Sequence, residues 1–105
     1  MEKMTIWTNA IVDRVEAAYS VRFDKEEALI FLNDAYQNLL MLELKMQNED
    51  NEKLNSFIDY FVAVRDSFIT ELVDRYPSNY TDIKTKIDTL RKLNEQVLSV
   101  PQEVA

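Results

Sequence analysis

A chain of 105 residues is one domain by length, and at that size roughly two-thirds of the unfolded surface can be buried without metal or disulfide staples. It holds no glycine, histidine or cysteine and carries a net charge of −7. Those absences exclude Ser-His-Asp and Cys-His hydrolases, zinc sites built on Cys and His, Glu-x-x-His di-iron sites and glycine-rich phosphate loops, while the acidity opposes wrapping a nucleic-acid backbone.

An apolar fraction of 47% is ordinary for a globular protein, and the apolar residues fall in four stripes at helical spacing. The first helix is expected from about Thr5 to Ser20, with Trp7, Ala10, Ile11, Val15, Ala18 and Tyr19 on its buried side. Asp24 and Glu27 then stand three apart, as in a capping box, with Phe23 and Ala28 at the two staple positions. The second helix follows, from about residue 25 to 47, with the stripe Ala28, Leu29, Leu32, Ala35, Tyr36, Leu39, Leu42 and Met46. Asn48-Glu49-Asp50-Asn51 is a polar break in which Asp50 or Asn51 caps the next helix.

The third helix is expected over about 52–76, through Leu54, Phe57, Ile58, Phe61, Val64, Phe68, Leu72, Val73 and Tyr76, until Pro77 ends it. The fourth is expected over about 79–99, with the narrower seam Ile83, Ile87, Leu90, Leu93 and Val97, packed on one neighbour and closed by Pro101. The fold class read from this pattern is all-α: a single-domain four-helix bundle over 1–105, with a long central antiparallel hairpin of the second and third helices.

The longest uncharged run is nine residues, Met4 to Val12, against the roughly twenty apolar residues that a membrane span requires. The opening residues show neither an apolar h-region nor a small-residue cleavage site. The location expected is therefore cytoplasmic or virion, with no membrane partner.

Chemistry is sparse. Glu26, Glu27 and Asp34 share a helix but read as solvated surface, and Glu49, Asp50 and Glu52 lack the spacing of a calcium loop. No catalytic, cofactor-binding or metal residue is assigned, no cofactor is expected, and the chain reads as non-enzymatic. Asn33 either fixes packing register from within the stripe or sits at its edge and reaches water. Trp7 and Tyr36 read as core.

The apolar residues of two segments are too many for one stripe. Leu39 to Met46 is apolar nearly all round its helix, as is Tyr60 to Val64. A helix of that kind is buried on every side: either the short first helix and the tail fold back to cover both stretches, or apolar surface is left over and marks a contact with another chain. Candidate interface residues are Leu40, Met41, Leu44, Tyr60 and Val62. Charge is uneven as well: residues 1–80 hold 15 acids and 8 bases, and residues 81–105 hold four of each. Lys84, Lys86, Arg91 and Lys92 read either as a solvated helix face or as candidates to meet an acidic neighbour, including another copy of this chain. The partners expected are proteins, in a homo-oligomer or a larger assembly, with neither nucleic acid nor a small-molecule substrate.

Phe23 to Leu40 reads Phe-Asp-Lys-Glu-Glu-Ala-Leu-Ile-Phe-Leu-Asn-Asp-Ala-Tyr-Gln-Asn-Leu-Leu, after one short helix. These 18 residues resemble the opening of the small helical head–tail adaptor (connector) proteins of tailed phages. In them an acidic pair follows the cap, and an apolar-Asn-x-Ala step matches Leu32-Asn33-Asp34-Ala35. The resemblance implies a non-enzymatic virion component that assembles as a ring beneath the portal. The rest of the chain departs from that pattern, and the charged loop or hairpin that such adaptors often insert is missing. A different class of function remains open from the residues alone: a small acidic inhibitor or regulator that blocks a nucleic-acid-binding partner, its acids gathered on one face.

Overall fold

The computed structural model describes residues 2–45, 51–74 and 80–98, with side chains from Ile6 to Val97 within those ranges. Met46, the Asn48–Asp50 part of the polar break, Tyr76, Pro77, Ser99 and Pro101 lie outside the described residues. Four helices account for the ordered elements: α1 (Glu2–Ser20), α2 (Lys25–Lys45), α3 (Glu52–Val73) and α4 (Tyr80–Leu98), with no strand among the described residues. They form an all-α four-helix bundle, elongated at 51 × 22 × 18 Å.

The helix ends follow local chemistry. The α1 helix starts three residues before the expected Thr5. It closes without glycine: the Val21 N–H donates to the Ala17 and Ala18 carbonyls, and the Arg22 N–H to that of Tyr19. Asp24 caps α2, its Oδ1 accepting from the Glu27 N–H at 3.2 Å, a contact worth about 1 kcal/mol. The expected staple does not form. Phe23 is 79% exposed and turns instead onto the Tyr80 ring, 5.8 Å away edge-to-face. Asn51 caps α3, accepting from the Leu54 N–H at 3.1 Å. That helix ends at Val73, short of the expected Tyr76, because Asp74 adopts extended backbone (φ −68, ψ 137).

Neighbouring helices run antiparallel around the bundle. Lys25 Nζ donates to the Asp74 carbonyl across α2 and α3; Arg91 meets Glu16 and Asn94 donates to Asn9 Oδ1 across α4 and α1. The α4 helix is therefore flanked by both α3 and α1, a correction to its expected single neighbour. Its narrow stripe covers the core, while Arg91 and Asn94 make polar contacts sideways to α1.

The core residues recur in alternating steps of three and four: Thr8, Ile11, Val15 and Ala18 on α1; Ala28, Leu32, Ala35, Leu39 and Leu42 on α2; Leu54, Phe57, Phe61, Val64 and Phe68 on α3; Ile83, Ile87, Leu90, Asn94 and Val97 on α4. This is the seam of a left-handed bundle. Helix spacing depends on the side chains at the contact. The α1 and α2 backbones approach most closely, with Ala18, Ala28 and Ala35 buried in that half of the core. The α2–α3 pair of the central hairpin stays furthest apart among neighbours. Phe57, Phe61 and Phe68 fill the wider space on the α3 side.

Candidate interaction surface

The α2–α3 seam is built from a second stripe on each helix. On α2, Leu29, Tyr36 and Leu40 lie about a turn or two apart, on the shoulder that faces α3, while Leu44, in line with Ile30 along the helix, points away from the core. On α3, Ile58, Val62, Arg65, Ile69 and Val73 do the same toward α2. Two contacts fix the register. Lys25 reaches Asp74 at one end. In the middle, the Arg65 guanidinium carbon lies 4.6 Å from the centre of the Tyr36 ring, so the two long side chains bridge the gap that the backbones leave. Leu29 and Val73 flank that bridge toward the Lys25 end, and Leu40 and Val62 flank it on the other side. All four are exposed, from 37% at Leu29 and Leu40 to 69% at Val73.

Of the residues singled out from sequence, Leu40 and Val62 come together on this face, while Leu44 is exposed on the outer side of α2. Met41, one position further round α2, lies instead with Arg14, Asp34 and Gln37 in a shallow groove between α1 and α2. Tyr60 is half-buried on the opposite shoulder of α3, packed against the core. Leu29 and Val73, expected in the core, are part of the open face; their position at the edge of each stripe was the only sign of it. Asn33 is exposed, so the edge reading holds. Trp7 and Tyr36 pack against the core as expected.

The four cations of α4 do not form a patch. Lys84 pairs with Asp88 at 3.2 Å and Lys86 with Asp82 at 2.8 Å, each one turn away on the same helix. Arg91 reaches sideways along the surface to Glu16 on α1. Lys92 projects outward on its own side of the helix. The hydrogen bond to Asp82 holds the Lys86 ammonium above its ordinary pKa, against a smaller loss from burial. What looked like a basic stretch is largely neutralised within the chain.

Grooves elsewhere are open and polar. The α3–α4 groove, ≈ 320 Å³, is lined by Asp66, Thr70, Glu71, Asp82 and Lys86. Among the described residues no group of three or more acids could hold a metal ion, and no helix is long and apolar enough to cross a membrane.

At the α1–α2 turn, Tyr19, Arg22 and Tyr80 close a ring of hydrogen bonds. Tyr19 Oη donates to the Tyr80 carbonyl at 3.2 Å, Tyr80 Oη to the Arg22 carbonyl at 3.4 Å, and Arg22 Nη1 to the Tyr19 carbonyl at 2.9 Å. Burial pushes the Tyr80 phenol above its ordinary pKa, the Glu71 carboxylate adds to this, and the Arg22 charge opposes it. Phe68 stacks edge-on against both tyrosines. The two phenols and the Arg22 Nη1 each donate to a backbone carbonyl elsewhere in the chain, so the knot ties the bundle end together.

Compared with protein-family models, curated proteins and solved structures, the chain matches none of them.

Proposed function

We propose that this chain is a non-enzymatic assembly protein that works by presenting the open α2–α3 face to another protein. One observation carries the reading: Leu29, Leu40, Val62 and Val73 remain accessible along the one seam where neighbouring helices stand furthest apart. Contiguous exposed apolar side chains of this kind mark contact surfaces. A head–tail adaptor-like virion component is the most concrete form of the proposal, supported by the resemblance of residues 23–40.

A photo-crosslinking side chain at Val62 tests it in the cells or particles where the chain is made. Protein adducts are expected from Val62 and not from the exposed position Thr85 on α4. Equal yields from the two positions, or none from Val62, would remove the α2–α3 face as the working surface.

The second reading, an acidic regulator occupying the basic surface of a nucleic-acid-binding protein, draws support from the charge distribution. The α2 and α3 helices each carry four carboxylates and two cations, whereas α1 and α4 together balance six with six. Competition with DNA for a basic protein tests it, and loss of that competition on replacing Asp59 and Asp66 by Asn is the expected result.

A further inference from the structure

Resting on the assembly reading, we propose that the occupant of the α2–α3 face is a cationic amphipathic helix of a different protein, laid along the seam as a fifth helix.

The shape argument comes first. The exposed apolar residues run from Leu29 to Leu40 on α2 and from Val73 back to Val62 on α3. Eleven residues of helix span roughly 16 Å. The floor between them is the Tyr36 ring with the Arg65 guanidinium over it. Two parallel ridges with a filled floor accept the apolar stripe of one further helix, whose anchors recur every three or four residues.

Charge then selects the partner. The carboxylates of Glu26 and Glu43 on α2, and of Asp59 on α3, stand exposed beside the apolar strip, with Asp66 on the outer side of α3 between this seam and the α3–α4 groove. The described cations of the two helices leave them little compensation. Lys25 is held by the Asp74 carbonyl. Arg65 lies over Tyr36 and against Asp66 at 3.7 Å. Lys45 follows Met41 by one turn on the α1 side, and Lys53 precedes Tyr60 by two turns on the α4 side. A second copy docked through the same face would set acid rim against acid rim, which disfavours self-pairing. A helix whose apolar stripe is flanked by Lys and Arg meets both features at once. An acid rim also separates this face from one built for an anionic lipid surface, which draws basic residues.

The test uses the full chain and two synthetic helical peptides of about 18 residues, long enough to cover the strip. Both carry the same leucine stripe; one is flanked by Lys and the other by Glu. Fluorescence anisotropy of the labelled peptides reads binding. The Lys-flanked peptide is expected to bind at least about tenfold more tightly than the Glu-flanked one, and to weaken as salt rises from about 50 to about 300 mM. The paired change Leu40→Ser, Val62→Ser is expected to lower its affinity by about tenfold or more, while Ile30→Ser, exposed on the far side of α2, leaves it unchanged. Circular dichroism melts confirm that the variants fold, and the two-peptide comparison on the unaltered protein needs no variant at all.

Equal binding of the two peptides, or binding indifferent to Leu40 and Val62, overturns the proposal. So does a homodimer in sedimentation that Leu40→Ser, Val62→Ser dissociates: a second copy then covers the face, and the assembly reading stands while the cationic helix falls. If Val62 also fails to crosslink to any protein, the assembly reading falls with it.

Discussion

The guanidinium carbon of Arg22 lies 4.2 Å from the centre of the Tyr19 ring, and the same group donates to the Tyr19 carbonyl at 2.9 Å. One side chain thus closes the last turn of α1 and stacks on the residue that ends its apolar stripe. Arg22→Ala removes a charge-assisted hydrogen bond and a cation–π contact, and it is expected to cost about 2 kcal/mol in urea unfolding. Arg22→Lys is expected to recover less than half of that loss, since an ammonium has neither the planar face nor the fork of donors. Full recovery by lysine would reduce the role of Arg22 to its charge.

Tyr80 sets an alkaline limit. Its phenol is raised above the ordinary 10.0 in the folded chain, so the folded state holds that proton more tightly than the unfolded state does. The stabilisation is complete below pH 10.0 and declines as pH rises through the folded value. Tyr80→Phe loses the long hydrogen bond to the Arg22 carbonyl and is expected to be slightly less stable at neutral pH. Above about pH 10 its melting temperature should fall less steeply than that of the parent chain. Parallel melting curves across that window would rule out this tyrosine as the source.

Asn94 occupies a core position of α4 between Leu90 and Val97, and is 5% exposed. Its Nδ2 donates to Asn9 Oδ1 at 2.8 Å, while its own Oδ1 is buried with no partner among the described residues. A polar core group that is only partly satisfied costs stability and can fix register. Asn94→Leu is expected to raise stability by about 1 kcal/mol, because exposed Asn9 can turn to water. Asn94→Ala leaves a cavity and is expected to lower it by a similar amount. Chemical denaturation of both variants decides the matter, and destabilisation by leucine would mean that the pocket is too small for it.

Ala35 is fully buried in the half of the core where α1 and α2 come closest. Ala35→Leu inserts a branched side chain where the backbones leave no room, at an expected cost of about 1–3 kcal/mol. Leu44→Ala, exposed on the outer side of α2, should change stability by less than about 0.5 kcal/mol. Together the two melts separate the packed seam from the open surface of the helix.

Most of the bundle is legible in the residues. The four stripes, the Asp24 cap, the Asn51 cap and the gap between helices at residues 21–24 follow from periodicity and capping chemistry that act within one turn. Stripe edges were the weak point. Leu29 and Val73 sit where a small rotation of a helix decides between core and water, and that rotation depends on helices distant in sequence. Thr8 and Asn94 were missed for a related reason: both are polar, and only the partners across the bundle make them core. The α4 cations show the same limit. Pairing one turn along the helix was readable for Lys84 with Asp88 and for Lys86 with Asp82, whereas the approach of Arg91 to Glu16 spans most of the chain and needs the tertiary arrangement. For the open face, the surplus of leucine in α2 was visible, but its division between Leu40 and Met41, neighbours in sequence that face different helices, required the bundle.

The alternating three-and-four spacing makes the rod modular. Excising one seven-residue unit from each of the four helices at matched height would shorten it by about 10.5 Å, and every remaining knob would still find its hole. Deleting three or four residues from a single helix would shift that helix against the other three instead. Homologous chains built on this plan should therefore differ in length by whole sevens, a regularity that alignment can recognise where residue identity has faded.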